Sequence, residues 1–208
     1  MSSDESCATC GRPATVCVCD RVETFSTRRR VLVLQHPQEQ DKLLGSAQLL
    51  TACLPDAQIV VGLSWRSLAH ALGEDSSGRR ELERTWAVLF PDKSASRSRA
   101  QRGFSIAGRS GAAVDPATLR GIIALDGSWS QAKTLWWRNP WLARLPRIGL
   151  RPDQPSIYGR LRREPSRHHV STLESVAAVL TASGEDPAIE TALRRVFRTM
   201  VQRCRDAG

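Results

Sequence analysis

Residues 121–133 read GIIALDGSWSQAK, an apolar run that ends in a single carboxylate and passes at once into a helix-start signal. Gly121 to Leu125 is short and continuously apolar, the pattern of a strand covered on both faces. Ser128 and Gln131 have the spacing of a capping box, in which the hydroxyl accepts from the N3 amide and the Gln side chain returns to the cap's own N–H. The stretch predicts a strand, then Asp126 at its carboxyl end, then a helix from Ser128 through Trp137. In open α/β sheets, ligands bind in the crevice beyond the carboxyl ends of the strands, where a helix start offers free N–H groups and positive potential. Asp126 falls at that crevice. It is either a functional carboxylate or a turn-stabilising one, since Asp is common before a helix.

Outward from this unit the chain alternates in the same way. Val31 to Leu34 reads as a strand, Lys42 to Leu54 as a helix, Ile59 to Val61 as a strand and Leu68 to Leu72 as a short helix. Further apolar runs occupy Ala87 to Phe90 and Ile148 to Leu150. Such alternation predicts an α/β fold with a mostly parallel sheet flanked by helices. The segment 92–115 turns to Ser, Arg, Gly and Ala and reads as a long basic loop. A second basic loop, YGRLRREPSRHH, spans 158–169 and precedes two terminal helices; the first starts at Ser171, where Ser171 and Glu174 repeat the capping-box spacing. No P-loop, dinucleotide-binding glycine fingerprint or internal repeat is present.

The 208 residues suffice for one sizeable core. No apolar run approaches the roughly 20 residues that span a bilayer, and the opening MSSDESCATC lacks the apolar core of a secretory signal, so a cytoplasmic location and no membrane partner are expected. The formal charge is +9, and residues 120–169 carry +7 of it, ten Arg or Lys against three Asp or Glu. A basic segment of this kind attracts a polyanion, although an ordinary solvated basic face has the same composition. Arg outnumbers Lys 27 to 3, which codon usage alone can produce.

Four cysteines fall in the first 19 residues as Cys7-x2-Cys10-x6-Cys17-x-Cys19, with Gly11 and Pro13 between the pairs. In a reducing compartment such clustering points to a metal rather than to disulfides, and four thiolates suit tetrahedral zinc. The chain thus divides into a zinc knuckle, 1–25, and an α/β domain, 26–208. Cys53 and Cys204 read as small apolar fillers.

The N-terminal cysteine set, HPQEQDK at 36–42, LFPDKSA at 89–95, DGSWSQAK at 126–133, YGRLRREP at 158–165 and STLESVA at 171–177 together resemble the DTW-domain family of tRNA-uridine aminocarboxypropyltransferases, distant relatives of the SPOUT methyltransferases. The naming triplet, Asp-x-Thr-Trp in most members, stands here as Asp126-Gly127-Ser128-Trp129, with the hydroxyl kept. The resemblance implies a SPOUT-like sheet with a C-terminal trefoil knot, against the general rarity of knots. It further implies transfer of the 3-amino-3-carboxypropyl group from S-adenosylmethionine to N3 of a uridine in tRNA, releasing methylthioadenosine.

On that resemblance Asp126 either accepts the uridine N3 proton or holds the base while the proton leaves. Leu89, Phe90 and Pro91 would receive the adenosine, with Ser128, Trp129, Thr172 and Glu174 completing the donor site. His36 and Glu39 orient the amino-acid end of the donor or contact RNA, and Lys42 belongs to the tRNA side. Lys133 suits a phosphate, Tyr158, Arg160, Arg162 and Arg163 suit phosphates or the donor's carboxylate, and Trp129 can stack on a base. Two rivals stand beside this reading, a SPOUT-type RNA methyltransferase and a non-catalytic zinc-containing RNA-binding protein. Oligomeric state is left open.

Overall fold

The computed structural model describes residues 6–75, 78–90, 104–108, 110–150, 154–159, 161–162 and 170–207. Among these, strands β1 (Arg30–Gln35), β2 (Gln58–Val61), β3 (Trp86–Leu89), β4 (Phe104–Ala107), β5 (Gly121–Asp126) and β6 (Arg147–Leu150) form one sheet in the order β2-β1-β5-β3-β6-β4. Every neighbouring pair is parallel except β4 with β6, so the expected α/β sheet is mixed, with one antiparallel edge.

Among the described residues six α-helices flank it: α1 (Ala47–Cys53), α2 (Leu68–Leu72), α3 (Arg79–Thr85), α4 (Trp129–Arg138), α5 (Thr172–Ala182) and α6 (Pro187–Ala207). Strand alternation sorts the core into two layers. Val31, Val33, Ile122 and Ala124 face one cluster with α1, α5 and α6, while Leu32, Leu34 and Ile123 face a second with α2 and Trp141. Carried one step further, the same alternation turns Gln35 and Asp126 toward the α5 side. Gly121 allows the central strands to pack, because a Cβ there would lie 2.4 Å from the Trp86 ring.

Three elements depart from the sequence reading. The helix expected from Lys42 begins only at Ala47. Its would-be first turn is diverted: Gly45 N–H bonds back to the Lys42 carbonyl, and Arg12 takes the Leu43 and Gly45 carbonyls. Strand β4 lies inside the stretch expected to be a loop; four residues, mostly half-buried at a sheet edge, give too little alternation to register. Helix α3, RRELERT, lacks an apolar stripe and has no buried residue. No helix among the described residues is long and apolar enough to cross a membrane.

The cysteine segment packs against the sheet domain. Val16 and Val18 are buried in the α1–α5–α6 cluster, and Arg203 of α6 pairs with Asp20 at 2.9 Å.

Candidate active site

Asp126 ends β5, beside Gln35 in the parallel register. The residue is 6% exposed. One oxygen accepts from Gln35 Nε2 at 2.8 Å and the other from Thr172 Oγ1 at 2.6 Å, at the first residue of α5. Each oxygen keeps a lone pair for a further donor, and the residue lines a cleft of about 600 Å³ at the carboxyl ends of β5, β3 and β6.

Two capped helices open onto that cleft. At α4, Ser128 Oγ accepts from Gln131 N–H at 3.4 Å, and Gln131 Oε1 accepts from Ser128 N–H at 2.5 Å. Gly127 permits this close return, since a Cβ there would come within 2.8 Å of Gln131 Cβ. At α5, Ser171 and Glu174 form the second capping box. Ser128, Trp129, Ser171 and Thr172 all line the cleft, so the N-terminal ends of two helices converge on one volume. Such convergence favours an anionic group.

The facing wall is apolar. Leu89, Ile148 and Leu150 contribute strand side chains, and Phe90 lies stacked on Trp136 with centroids 4.2 Å apart. Arg147 covers Trp136 at 5.0 Å, a cation–π contact that extends the column. Arg162 also lines the cleft, holding Glu39 at 3.1 Å and lying 5.5 Å above the Tyr158 ring.

The residues singled out in the sequence separate into groups. Leu89, Phe90, Asp126, Ser128, Trp129, Tyr158, Arg162 and Thr172 come together on the cleft. Glu174 is fully buried behind it, its oxygens accepting from Ser156, Ile157 and Ser171, with Arg194 at 3.6 Å. It fixes the 156–157 turn to the start of α5. Tyr158 is 1% exposed, donates to the Leu44 carbonyl and meets Phe197 edge-on; burial raises its phenol pKa.

His36 caps the short turn at 37–39 through its ring nitrogen, and its N–H donates to the Asp126 carbonyl. Lys42 is exposed, as is Lys133, which lies 5.5 Å over the Trp129 ring. Pro91, Arg160 and Arg163 lie outside the described residues. Gln35 and Ser46 also belong to the site and went unread. The signal for Gln35 was a polar residue closing the apolar run VLVLQ; Ser46 carried none. Trp137 is the aromatic ring of α4 that stands in solvent, 76% exposed.

The four cysteines form a separate cluster whose ligand atoms all lie within 4.8 Å of one another. The Cys7–Cys19 and Cys10–Cys17 sulfur separations are 3.8 and 3.7 Å. A tetrahedron with zinc–sulfur bonds of about 2.3 Å has edges of about 3.8 Å, so the donor set fits that ion. N–H groups of Cys10 and Thr9 hold the Cys7 thiol down at about 6, whereas burial and neighbouring thiols push Cys19 up.

The DTW domain pattern matches residues 4–205. The chain is 29% identical over 204 residues to tRNA-uridine aminocarboxypropyltransferase 2 of Mus musculus, covering 93% of this chain and 61% of that protein. The Macaca fascicularis protein of the same name is 28% identical, with the same coverages, and that of Drosophila melanogaster 29%, covering 97% and 76%. The chain thus spans about three fifths of the length of the two mammalian relatives. No solved structure matches it.

Proposed function

The chain belongs to the DTW-domain family, and on that premise we propose that it transfers the 3-amino-3-carboxypropyl group of S-adenosylmethionine to N3 of a uridine in tRNA. The observation that carries the reading is the carboxylate of Asp126, fixed by Gln35 and Thr172 on a cleft into which two helix N-termini point. The relatives' names supply the transferred group and the kind of acceptor.

The residues present suit such a donor. Leu89 and Phe90 offer an apolar and aromatic wall to an adenosine, and Pro91 continues that segment. The N-terminal ends of α4 and α5, with Arg162, offer positive potential to an amino-acid carboxylate. S-adenosylmethionine, when bound, supplies a sulfonium-activated γ-carbon, and attack there breaks the carbon–sulfur bond and releases methylthioadenosine. Uridine N3 carries a proton at neutral pH. Asp126 accepts it or holds the base in line while it leaves, and the choice of γ-carbon over methyl is one of orientation.

His36, Lys42 and Lys133 are assigned to the tRNA side, together with Arg160 and Arg163. Glu39, Glu174 and Tyr158 serve by holding Arg162 and the turns that shape the cleft. Zinc held by Cys7, Cys10, Cys17 and Cys19 is structural, and a cytoplasmic location belongs to the same reading. So do the knuckle at 1–25 as a unit and a SPOUT-type knot in the C-terminal half.

Mass analysis of nucleosides from tRNA incubated with the protein and S-adenosylmethionine tests the proposal. The expected product is aminocarboxypropyluridine. Methyluridine would favour a methyltransferase, and unmodified tRNA would count against both.

A further inference from the structure

The cysteine knuckle touches the rest of the chain on two sides. On one, Arg203 pairs with Asp20 and donates to the Cys17 carbonyl, tying the knuckle to α6. On the other, Arg12 leaves the loop between Cys10 and Cys17 and reaches the turn before α1. Its Nε donates to the Leu43 carbonyl at 3.2 Å and its Nη2 to the Gly45 carbonyl at 2.8 Å. The carbonyl between them, that of Leu44, accepts from Tyr158 Oη at 2.7 Å.

Three successive carbonyls are therefore capped by side chains 31, 114 and 33 residues distant in sequence. The next residue, Ser46, and Tyr158 itself both line the cleft.

Arg12 is 7% exposed, and among the described residues its guanidinium meets carbonyl oxygens and no carboxylate. A buried cation held only by dipoles depends on its backbone for position. That backbone is the knuckle's own turn: Cys7 N–H donates to the Arg12 carbonyl and Gly11 N–H to the Cys7 carbonyl, both at 2.8 Å, with Gly11 at φ 67°. A metal on the four sulfurs closes this turn.

We infer that Arg12 is a positioning residue through which metal loading of the knuckle sets the Ser46–Tyr158 wall of the cleft and hence its affinity for the donor. The inference rests on the proposed reading of the cleft and of the cysteine cluster. Its consequence is that the knuckle acts on catalysis from within the fold, by donor affinity, independently of any contact with RNA.

The test is calorimetric titration of S-adenosylmethionine, without tRNA, into metal-loaded wild type, chelated wild type, Arg12→Met and chelated Arg12→Met. Met keeps the length of the apolar stem and removes both donors; Arg12→Lys restores one.

Chelation and Arg12→Met should each weaken donor binding by roughly 5- to 150-fold, the range of a typical coupling between sites. Arg12→Lys should recover part of the loss. Chelating the Met variant should add nothing, because both perturbations release the same turn. A role confined to general stability would lower Tm and leave donor Kd unchanged.

Wild-type donor affinity in folded Arg12→Met or in the chelated protein, or losses that multiply in the combination, would overturn the coupling. A wild type that holds no metal as purified would do the same. Failure of metal-loaded wild type to bind the donor at all would sink the cleft reading itself.

Discussion

Replacing Asp126 by Asn separates the chemical role of this carboxylate from its structural one. The side chain now accepts two hydrogen bonds, from Gln35 Nε2 at 2.8 Å and Thr172 Oγ1 at 2.6 Å. Asn fits the same space: its carbonyl faces Gln35, and its NH₂ turns to Thr172, whose hydroxyl can reverse and accept. Two hydrogen bonds to a charged acceptor, about 1.5–3 kcal/mol each, become neutral ones of about 0.5–1.5 kcal/mol. The difference predicts a stability loss of about 2–3 kcal/mol, a fall in Tm of roughly 4–12 °C at this chain length. The variant stays folded and should still bind donor and tRNA.

Transfer is another matter. Loss of a general base costs roughly 10²–10⁴-fold in rate. The assay is single-turnover transfer with donor and tRNA saturating, followed from about pH 6 to 10. In the wild type the rate should vary little with pH over this range; in the variant it should keep climbing toward alkaline pH as solvent ionises N3 unaided. Thr172→Val removes one of the two donors and leaves the carboxylate, so it should cost far less rate. If the Asn variant turns over within a few-fold of wild type at neutral pH, Asp126 only braces β5 against α5 and the base lies elsewhere.

Other expectations can be checked independently. Protein purified without added metal should carry one zinc per chain by elemental analysis; Cys10→Ser should lose it, and the knuckle should then become the first site of proteolysis. Replacing both Arg160 and Arg163 by Ala should weaken tRNA binding and flatten its log–log salt dependence by about 0.7–0.9 for each phosphate no longer neutralised. Arg162→Ala, which removes a cleft-lining guanidinium and its pairing with Glu39, should change donor affinity more than salt slope. Glu185, 5% exposed and paired with the equally buried Arg29 at 2.7 Å, sits beyond the amino ends of the strands. Urea unfolding of Glu185→Ala should report a loss of about 3–5 kcal/mol, since an unpaired guanidinium is left buried, with donor affinity in the folded state unchanged.

Several features of this chain were legible because their causes are local. The DGSW turn and both capping boxes each need only four consecutive residues, and they start α4 and α5 where the spacing says they should. Four sulfurs within 13 residues announce a metal-type cluster before any fold is known. The apolar runs of β1 and β5 specify buried central strands, whereas half-exposed β4 and stripe-poor α3 carry no period strong enough to read.

What the sequence left open depends on groups brought together across long separations. Asp126 meets Gln35 across 91 residues and Thr172 across 46, and no local pattern states those pairings. Strand register and the alternation of faces decide them. Glu174 and Tyr158 belong to motif stretches that suggested ligand contact, and the packing of α5 and α6 buries both side chains, which no local pattern states. Helix α1 starts late for the same reason. Propensity alone would begin it at Lys42, but guanidinium and phenol groups from distant segments take the carbonyls its first turn would have used, and only the folded chain brings those groups there.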